Sequence, residues 1–180
     1  LRNLRSAEQV AALLAGSLHV GFTHTAAPPG SGLRSDLLAD EAMWLALPED
    51  AAAAQRPRVR SADLQGVPLL TFPRAVTPTL HDAIFATQRA LGWTPDVTQE
   101  AIQMQTLVNL VSAGMGAAWV PESVTRLQRP GVVYRRVVNC ELRAQTSLVW
   151  STSPSPVVQR FVAHVRAQLK PGKRRQSRLV

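Results

Sequence analysis

Apolar residues along the chain follow two patterns, a three-to-four-residue period and short unbroken runs. The period predicts amphipathic helices, and the runs predict buried strands. The predicted helices cover residues 7–15, 80–91, 103–113 and 156–169. The predicted strands cover residues 1–4, 18–22, 42–47, 67–72, 96–99, 116–120, 132–138 and 146–151. Because strands and helices alternate, the pattern predicts an α/β fold with a parallel sheet.

Polar residues mark where several of these helices begin. Ser6 and Gln9 have the spacing of a capping box, in which each side chain binds a free backbone N–H at the helix start. Thr79 and Asp82 have the same spacing at the second helix. Gly16 follows the first helix and predicts a left-handed stop. The buried face of the last helix is predicted from residues spaced four apart, which are Val157, Phe161, Val165 and Leu169.

The stretch LVNLVSAGMGAAWVPES, residues 107–123, combines a helix, a turn and a strand. Gly114 permits the left-handed turn that ends the helix, and Gly116 lets the chain double back into the apolar AAWV strand. Pro121 cannot donate a ladder hydrogen bond and ends that strand. Since these glycines follow a helix and precede a strand, the stretch is not a dinucleotide-binding loop, which requires the reverse order.

The polar, alanine-rich segment Pro48–Gly66 interrupts the alternation and is predicted to cross between two lobes. Lobe I then comprises residues 1–60 and 139–169, and lobe II comprises residues 61–138. The last eleven residues, 170–180, form a basic tail. The sequence does not begin with methionine, and its first residues already belong to the alternation of strands and helices. We therefore expect an upstream part of the protein to be missing from this chain.

Composition narrows the classes of function. Hydrophobic residues make up 46% of the 180 residues, which is enough for packed cores. No apolar run is long enough for a membrane span. Cys140 is the single cysteine, so a disulfide within the chain and a cysteine-cluster metal site are excluded. The net charge of +8 suggests nucleic acid, but five of the positive charges lie near the C-terminus and the others are scattered. We therefore interpret them as a solvated tail and surface charges.

Candidate ligand contacts lie where strands lead into helices, because helix N-termini direct free N–H groups outward there. Three such places are Ser6, the loop Pro73–Thr79 with Arg74, and the turn Glu100–Gln103. Together they suit a small carboxylate. The alternative is that Ser6, Thr77 and Thr79 are ordinary helix caps.

Enzymatic signatures are absent from the sequence. There is no Gly-x-Ser-x-Gly elbow, His-Glu-x-x-His motif or phosphate-binding glycine loop. His24 follows a strand end and is a candidate for pocket contact, whereas His81 and Asp82 are helix neighbours expected to point apart. We expect no enzyme activity, no cofactor and no metal.

Three segments, LLAGSLHVGF, DEAMWLALPED and LVNLVSAGMGAAWVPES, resemble the effector-binding domain of LysR-type transcriptional regulators. The resemblance covers the chain to about residue 169. It implies two Rossmann-like lobes joined by two crossing segments, a type 2 periplasmic-binding-protein-like fold with an effector cleft between the lobes. The effector-binding residues that it implies are Ser6, Thr23, His24, Pro73, Arg74, Thr77, Thr79, Glu100 and Gln103.

The family resemblance also implies partners and a cellular role. It implies a small-molecule effector, assembly as a homodimer or homotetramer, and DNA binding through an N-terminal winged helix-turn-helix that this chain lacks. The protein would be cytoplasmic, with no membrane partner. Two alternatives stay open: a solute-binding protein of a transport system, which would carry an export signal, and a small enzyme with a cleft active site.

Overall fold

The chain forms two compact units in a computed structural model that describes residue 2 and residues 4–169. One unit is built from the segments up to Leu38 and from Thr146 onward, and the other from Ala39–Gln145. The chain therefore changes unit twice, and both changes fall inside strands. The predicted crossing segment Pro48–Gly66 lies wholly within the second unit, because its buried alanines and Val59 belong to that unit's core.

The first unit contains α1 (Ser6–Leu14), β1 (Val20–Thr23) and the start of β2 (Leu33–Pro48). It also contains the end of β8 (Arg143–Ser151) and α4 (Pro156–Gln168). β1 and β8 are antiparallel, with Val20 opposite Trp150. The parallel partner predicted for β1, the strand over residues 1–4, lies partly outside the described residues, and the strand that pairs with β1 in the described part of the chain is the antiparallel β8.

Helix α4 buries a face that only partly matches the predicted one, since Val165 packs against the core as predicted. Val158 and Val162 are buried against Leu148 of β8. Val157 and Phe161, predicted to be buried, are 66% and 42% exposed. The two pairs are offset by one residue, which rotates the buried face by about 100° around the helix.

The second unit contains a mixed sheet. Its elements after β2 are β3 (Arg58–Val59), β4 (Leu69–Thr71), α2 (Pro78–Ala90), β5 (Val97–Glu100), α3 (Met104–Ser112), β6 (Ala117–Pro121) and β7 (Val132–Val137). β4 is parallel to both β5 and β6. β2 is antiparallel to β6 and β7, and β3 is parallel to β7. The predicted helices and strands of this unit are therefore present, with shifts of a few residues at their ends and with β2 extended.

The turn between α3 and β6 requires glycine, as predicted. Gly114 has φ +77° and Gly116 has φ +148°. A Cβ atom on Gly116 would lie 2.5 Å from the carbonyl oxygen of Pro68, which also accepts the N–H of Ala117. The bare backbone thus lets β6 begin directly beside the residue that precedes β4.

Two predicted segments lie at the limits of the structure. The strand over residues 1–4 falls partly outside the described residues, and residues 2 and 4 are not in a strand. The basic tail, residues 170–180, lies wholly outside them. None of the described helices is long and apolar enough to cross a membrane.

Candidate functional site

The start of α1 and the end of β1 meet in the first unit. The Oγ of Ser6 accepts a hydrogen bond of 3.2 Å from the backbone N–H of His24. Ser6 is the first residue of the helix and not its cap. Arg5 occupies the N-cap, and Glu8 accepts hydrogen bonds from the Arg5 backbone and guanidinium. The predicted Ser6–Gln9 capping box is therefore wrong, because the helix begins one residue earlier.

Thr23 and Gln9 form further hydrogen bonds close to the contact between Ser6 and His24. Thr23 is buried, and its hydroxyl donates a 2.6 Å hydrogen bond to the carbonyl of Thr25. The amide of Gln9 donates to the carbonyl of Leu4, and its oxygen lies against Gly21. The side chain of His24 is exposed. Ser6, Thr23 and His24 are thus brought together as predicted, with the hydroxyl of Thr23 already donating within the unit.

In the second unit, two parallel strands end side by side. β4 and β5 pair Thr71 with Glu100, and the N–H of Ala101 donates 2.9 Å to the carbonyl of Thr71. The loop 73–77 and the turn 101–103 therefore leave the same edge of the sheet. Each leads directly into a helix, α2 or α3, whose first backbone N–H groups lack partners within the helix.

Thr77, and not Thr79, is the N-cap of α2. The predicted Thr79–Asp82 capping box is therefore wrong, since the helix begins at Pro78. Thr77 is only 5% exposed, and its hydroxyl has no hydrogen-bond partner among the described residues. Thr79 lies in the first helical turn and is exposed. A buried hydroxyl without a partner at a helix start is a polar group that a ligand oxygen can satisfy.

Arg74 and Asp82 form an ion pair over the first turns of α2. The guanidinium donates two hydrogen bonds, of 2.8 and 2.7 Å, to the two carboxylate oxygens. The hydrogen bond from Arg74 lowers the pKa of Asp82 to about 2 and raises that of Arg74. Arg74 thus already has a carboxylate partner, and both side chains are more than half exposed.

The remaining predicted residues line the strand ends of the second unit. The carbonyl of Pro73 accepts the N–H of Val76, which closes a turn ahead of α2. Gln103 is the N-cap of α3, and its carbonyl accepts the N–H groups of Thr106 and Leu107. Its side chain makes no capping bond, and the side chains of Gln103 and Glu100 are both exposed.

His81 contacts its neighbour more closely than the sequence predicts. Its Nδ1 lies 3.5 Å from an oxygen of Asp82, and its ring lies 4.6 Å from that of Phe85. The long distance and the competing bonds from Arg74 make this a weak contact. It does not form a nucleophile–base pair.

Sequence reasoning missed a surface cavity of about 910 Å³ in the second unit. It lies beside α2 and the turn after β7. Its lining combines apolar side chains such as Leu91 and Leu142 with polar ones, which include Arg60, Thr87, Asn139, Glu141 and Arg143. Arg60 and Arg143 are each paired with an aspartate. No short motif marks these residues, since the cavity collects them from distant parts of the chain.

Cysteine and metal chemistry receive no support from the described residues. Cys140 is half-buried, and burial raises the pKa of its thiol, which disfavours the reactive thiolate. No three His, Cys, Asp or Glu side chains in the described part of the chain cluster closely enough to hold a metal ion.

Comparison with known proteins identifies the family. The model of the LysR substrate binding domain matches residues 1–170. The chain is 40% identical over 146 residues to the HTH-type transcriptional regulator IlvR of Caulobacter vibrioides, covering 79% of this chain and 48% of IlvR. The chain therefore belongs to the LysR substrate-binding-domain family. It spans about half the length of the curated relatives that it matches.

Solved structures of LysR-type regulators share the fold. Full-length CbnR complexed with its target DNA superposes with a TM-score of 0.80 at 29% identity, covering 94% of this chain and 60% of CbnR. The BenM effector-binding domain with its effector benzoate gives a TM-score of 0.77 at 19% identity, covering 94% of this chain and 77% of that domain. These matches confirm the predicted type 2 periplasmic-binding-protein-like α/β fold.

Proposed function

We propose that this chain is the ligand-sensing region of a LysR-type transcriptional regulator and that its effector is a small carboxylate. The observation that carries the proposal is the shared edge of β4 and β5. There, two helix N-termini start from neighbouring strand ends, and Thr77 holds a buried hydroxyl without a partner. Free N–H groups and a hydroxyl are the donors that a carboxylate accepts.

The proposed effector contacts of the first unit are Ser6, Thr23 and His24. Those of the second unit are Pro73, Arg74, Thr77, Thr79, Glu100 and Gln103. The Nε–Nη2 edge of Arg74 takes part only after it exchanges Asp82 for the ligand, because one guanidinium edge cannot bind two carboxylates at once. The hydroxyls and helix N-termini therefore make the first contacts.

For the whole protein, we propose a DNA-binding regulator that acts in the cytoplasm. An N-terminal winged helix-turn-helix would bind DNA, and the sensing regions would assemble as a homodimer or homotetramer. The relatives support a regulatory role, since they are named as transcriptional regulators and the structure of CbnR was solved with its target DNA. An effector changes the assembly only if it binds one arrangement more tightly than another.

We propose sensing without catalysis. Support comes from the absence of a nucleophile–base pair among residues 2 and 4–169, where the histidine–carboxylate contact of His81 is long and shared. A transport role has no specific structural observation in its favour, and the relatives named above are regulators.

A thermal-shift screen tests the proposal. Benzoate, lactate, pyruvate, succinate and 2-oxoglutarate are each added to the 180-residue protein, with the matching neutral amides as controls. A ligand at about 100 times its Kd stabilises the folded state by about 2.7 kcal/mol, which raises Tm by about 5–10 °C for a protein of this size. A carboxylate that raises Tm when its amide does not supports the proposal. No shift with any of them argues against it.

A further inference from the structure

Two arginines lie opposite each other on neighbouring strands of the second unit. β3 and β7 are parallel, and their register places Arg58 beside Arg136. Paired residues project from the same face of a sheet. Like charges at such positions repel each other and destabilise the strand pair. The arrangement therefore favours a counter-anion over the two guanidinium groups.

Two further arginines extend the same positive region along the RPRVR stretch, residues 56–60. Val59 is fully buried, so Arg58 and Arg60 on either side of it project outward. Arg56 and Arg60 both contact one carboxylate, that of Asp63, at 3.1 and 3.5 Å. We call the set Arg56, Arg58, Arg60 and Arg136 the arginine surface.

Carboxylates neutralise only part of the arginine surface. Asp63 is shared by two arginines, and the nearest carboxylate to Arg136 is Glu122 at 4.0 Å. Arg58 forms no salt bridge with any residue that the structure describes. Four guanidinium groups thus face two carboxylates, which leaves an excess of about one positive charge at Arg56 and Arg60 and about one at the Arg58–Arg136 pair.

The guanidinium of Arg136 is also fixed in orientation. It lies over the ring of Trp44, 4.9 Å from the centroid, while its side chain stays half exposed. Stacking on an aromatic face orients the planar group and leaves its N–H edges available. Such an edge donates two parallel hydrogen bonds to a phosphate or carboxylate.

We propose that the arginine surface binds the phosphate backbone of double-stranded DNA. Five of the positive charges behind the net charge of +8 lie in the tail 170–180, so the case for a polyanion rests on the local excess of guanidinium groups at the arginine surface. It belongs to a family in which CbnR was solved with its target DNA. The contact is to phosphates, so it contributes affinity without reading sequence. The arginine surface shares no residue with the proposed effector contacts, and the proposal does not depend on effector binding.

The test measures binding of the 180-residue protein to a fluorescent duplex of arbitrary sequence, by anisotropy, from about 50 to about 200 mM salt. The variant Arg58→Gln/Arg136→Gln is compared with Arg34→Gln/Arg160→Gln, which removes the same charge from exposed positions in the first unit. The slope of log K against log salt is negative, and each lost phosphate contact reduces its magnitude by about 1. We expect the magnitude of the slope to be smaller by about 2 in Arg58→Gln/Arg136→Gln than in the control variant.

Equal slopes and affinities for the two variants would overturn the proposal, because the arginine surface would then contribute only net charge. Circular dichroism and Tm of both variants check that they fold. Poly-glutamate serves as a competitor at equal charge. If it displaces the protein as effectively as unlabelled duplex, the partner is an acidic protein and the DNA assignment is wrong.

Discussion

Arg74 and Asp82 are each other's partners, joined by two hydrogen bonds across the start of α2. The sequence indicated different roles for them, Arg74 as a ligand contact and Asp82 as a helix cap. In this pair, the carboxylate of Asp82 occupies the guanidinium edge of Arg74 that an effector carboxylate would otherwise bind. Asp82 therefore competes with the ligand that we propose.

The pH dependence of this pair is predictable. The bond from Arg74 lowers the pKa of Asp82 from 3.8 to about 2. A lowered carboxylate pKa contributes stability that is present above the unfolded value and lost as pH falls through the folded value. We expect the stability difference between wild type and Asp82→Asn to shrink between about pH 4 and pH 2. Urea unfolding at several pH values measures it, and a difference that stays constant would contradict the ion pair.

Removing Asp82 should also strengthen carboxylate binding. In Asp82→Asn the guanidinium of Arg74 is released, so an effector carboxylate no longer has to displace an internal one. We expect a several-fold lower Kd for any carboxylate that raises Tm, measured by calorimetry. Asp63→Asn is the control, because Asp63 pairs with Arg56 and Arg60 instead. Weaker binding by Asp82→Asn would show that Asp82 positions Arg74 for the ligand.

The two glycines after α3 should differ in their tolerance of a side chain. Gly114→Ala adds a methyl group in open space at φ +77°, and we expect a loss of about 1–2 kcal/mol in the free energy of unfolding. Gly116→Ala places its methyl group 2.5 Å from the Pro68 carbonyl, so we expect a loss of about 3 kcal/mol or more. Urea denaturation compares them, and equal losses would refute the close approach to Pro68.

Gln88 should be replaceable by an apolar residue. It is 1% exposed on the inner face of α2, and neither its amide oxygen nor its nitrogen bonds to a group that the structure describes. A buried polar group without partners costs about 1–3 kcal/mol. We expect Gln88→Met to raise the free energy of unfolding by about 1 kcal/mol, while Gln99→Met on exposed β5 changes it by less than about 0.5 kcal/mol. Destabilisation by Gln88→Met would instead reveal a bound partner for the amide.

Local patterns in the sequence predicted most elements, because helix periods and glycine stops act over a few residues. The α3–β6 turn is the clearest example, since Gly114 and Gly116 carry its backbone requirement themselves. The predicted cap residues of α1 and α2 were wrong. There Arg5 and Thr77 occupy the cap positions, and Arg74 binds Asp82 from eight residues away.

Features that depend on pairing between distant segments were not predictable from the sequence. The antiparallel β1–β8 pair joins residues more than a hundred positions apart. Arginines that are scattered along the chain meet only because β3 pairs with β7. At the candidate site, topology rules correctly suggested that β4 and β5 end together, but the competition between Asp82 and a ligand follows from side-chain geometry.

Calorimetric titration tests the central claim most directly. Wild type, Thr77→Val and Thr98→Val are titrated with the carboxylate that raises Tm most. Thr98 is exposed on β5 and serves as the control for removing a hydroxyl. A hydrogen bond to a charged ligand contributes about 1.5–3 kcal/mol. We therefore predict one saturable site whose Kd rises at least about tenfold in Thr77→Val and is unchanged in Thr98→Val. Absence of saturable heat with any carboxylate, or equal Kd values for the three proteins, would contradict the account.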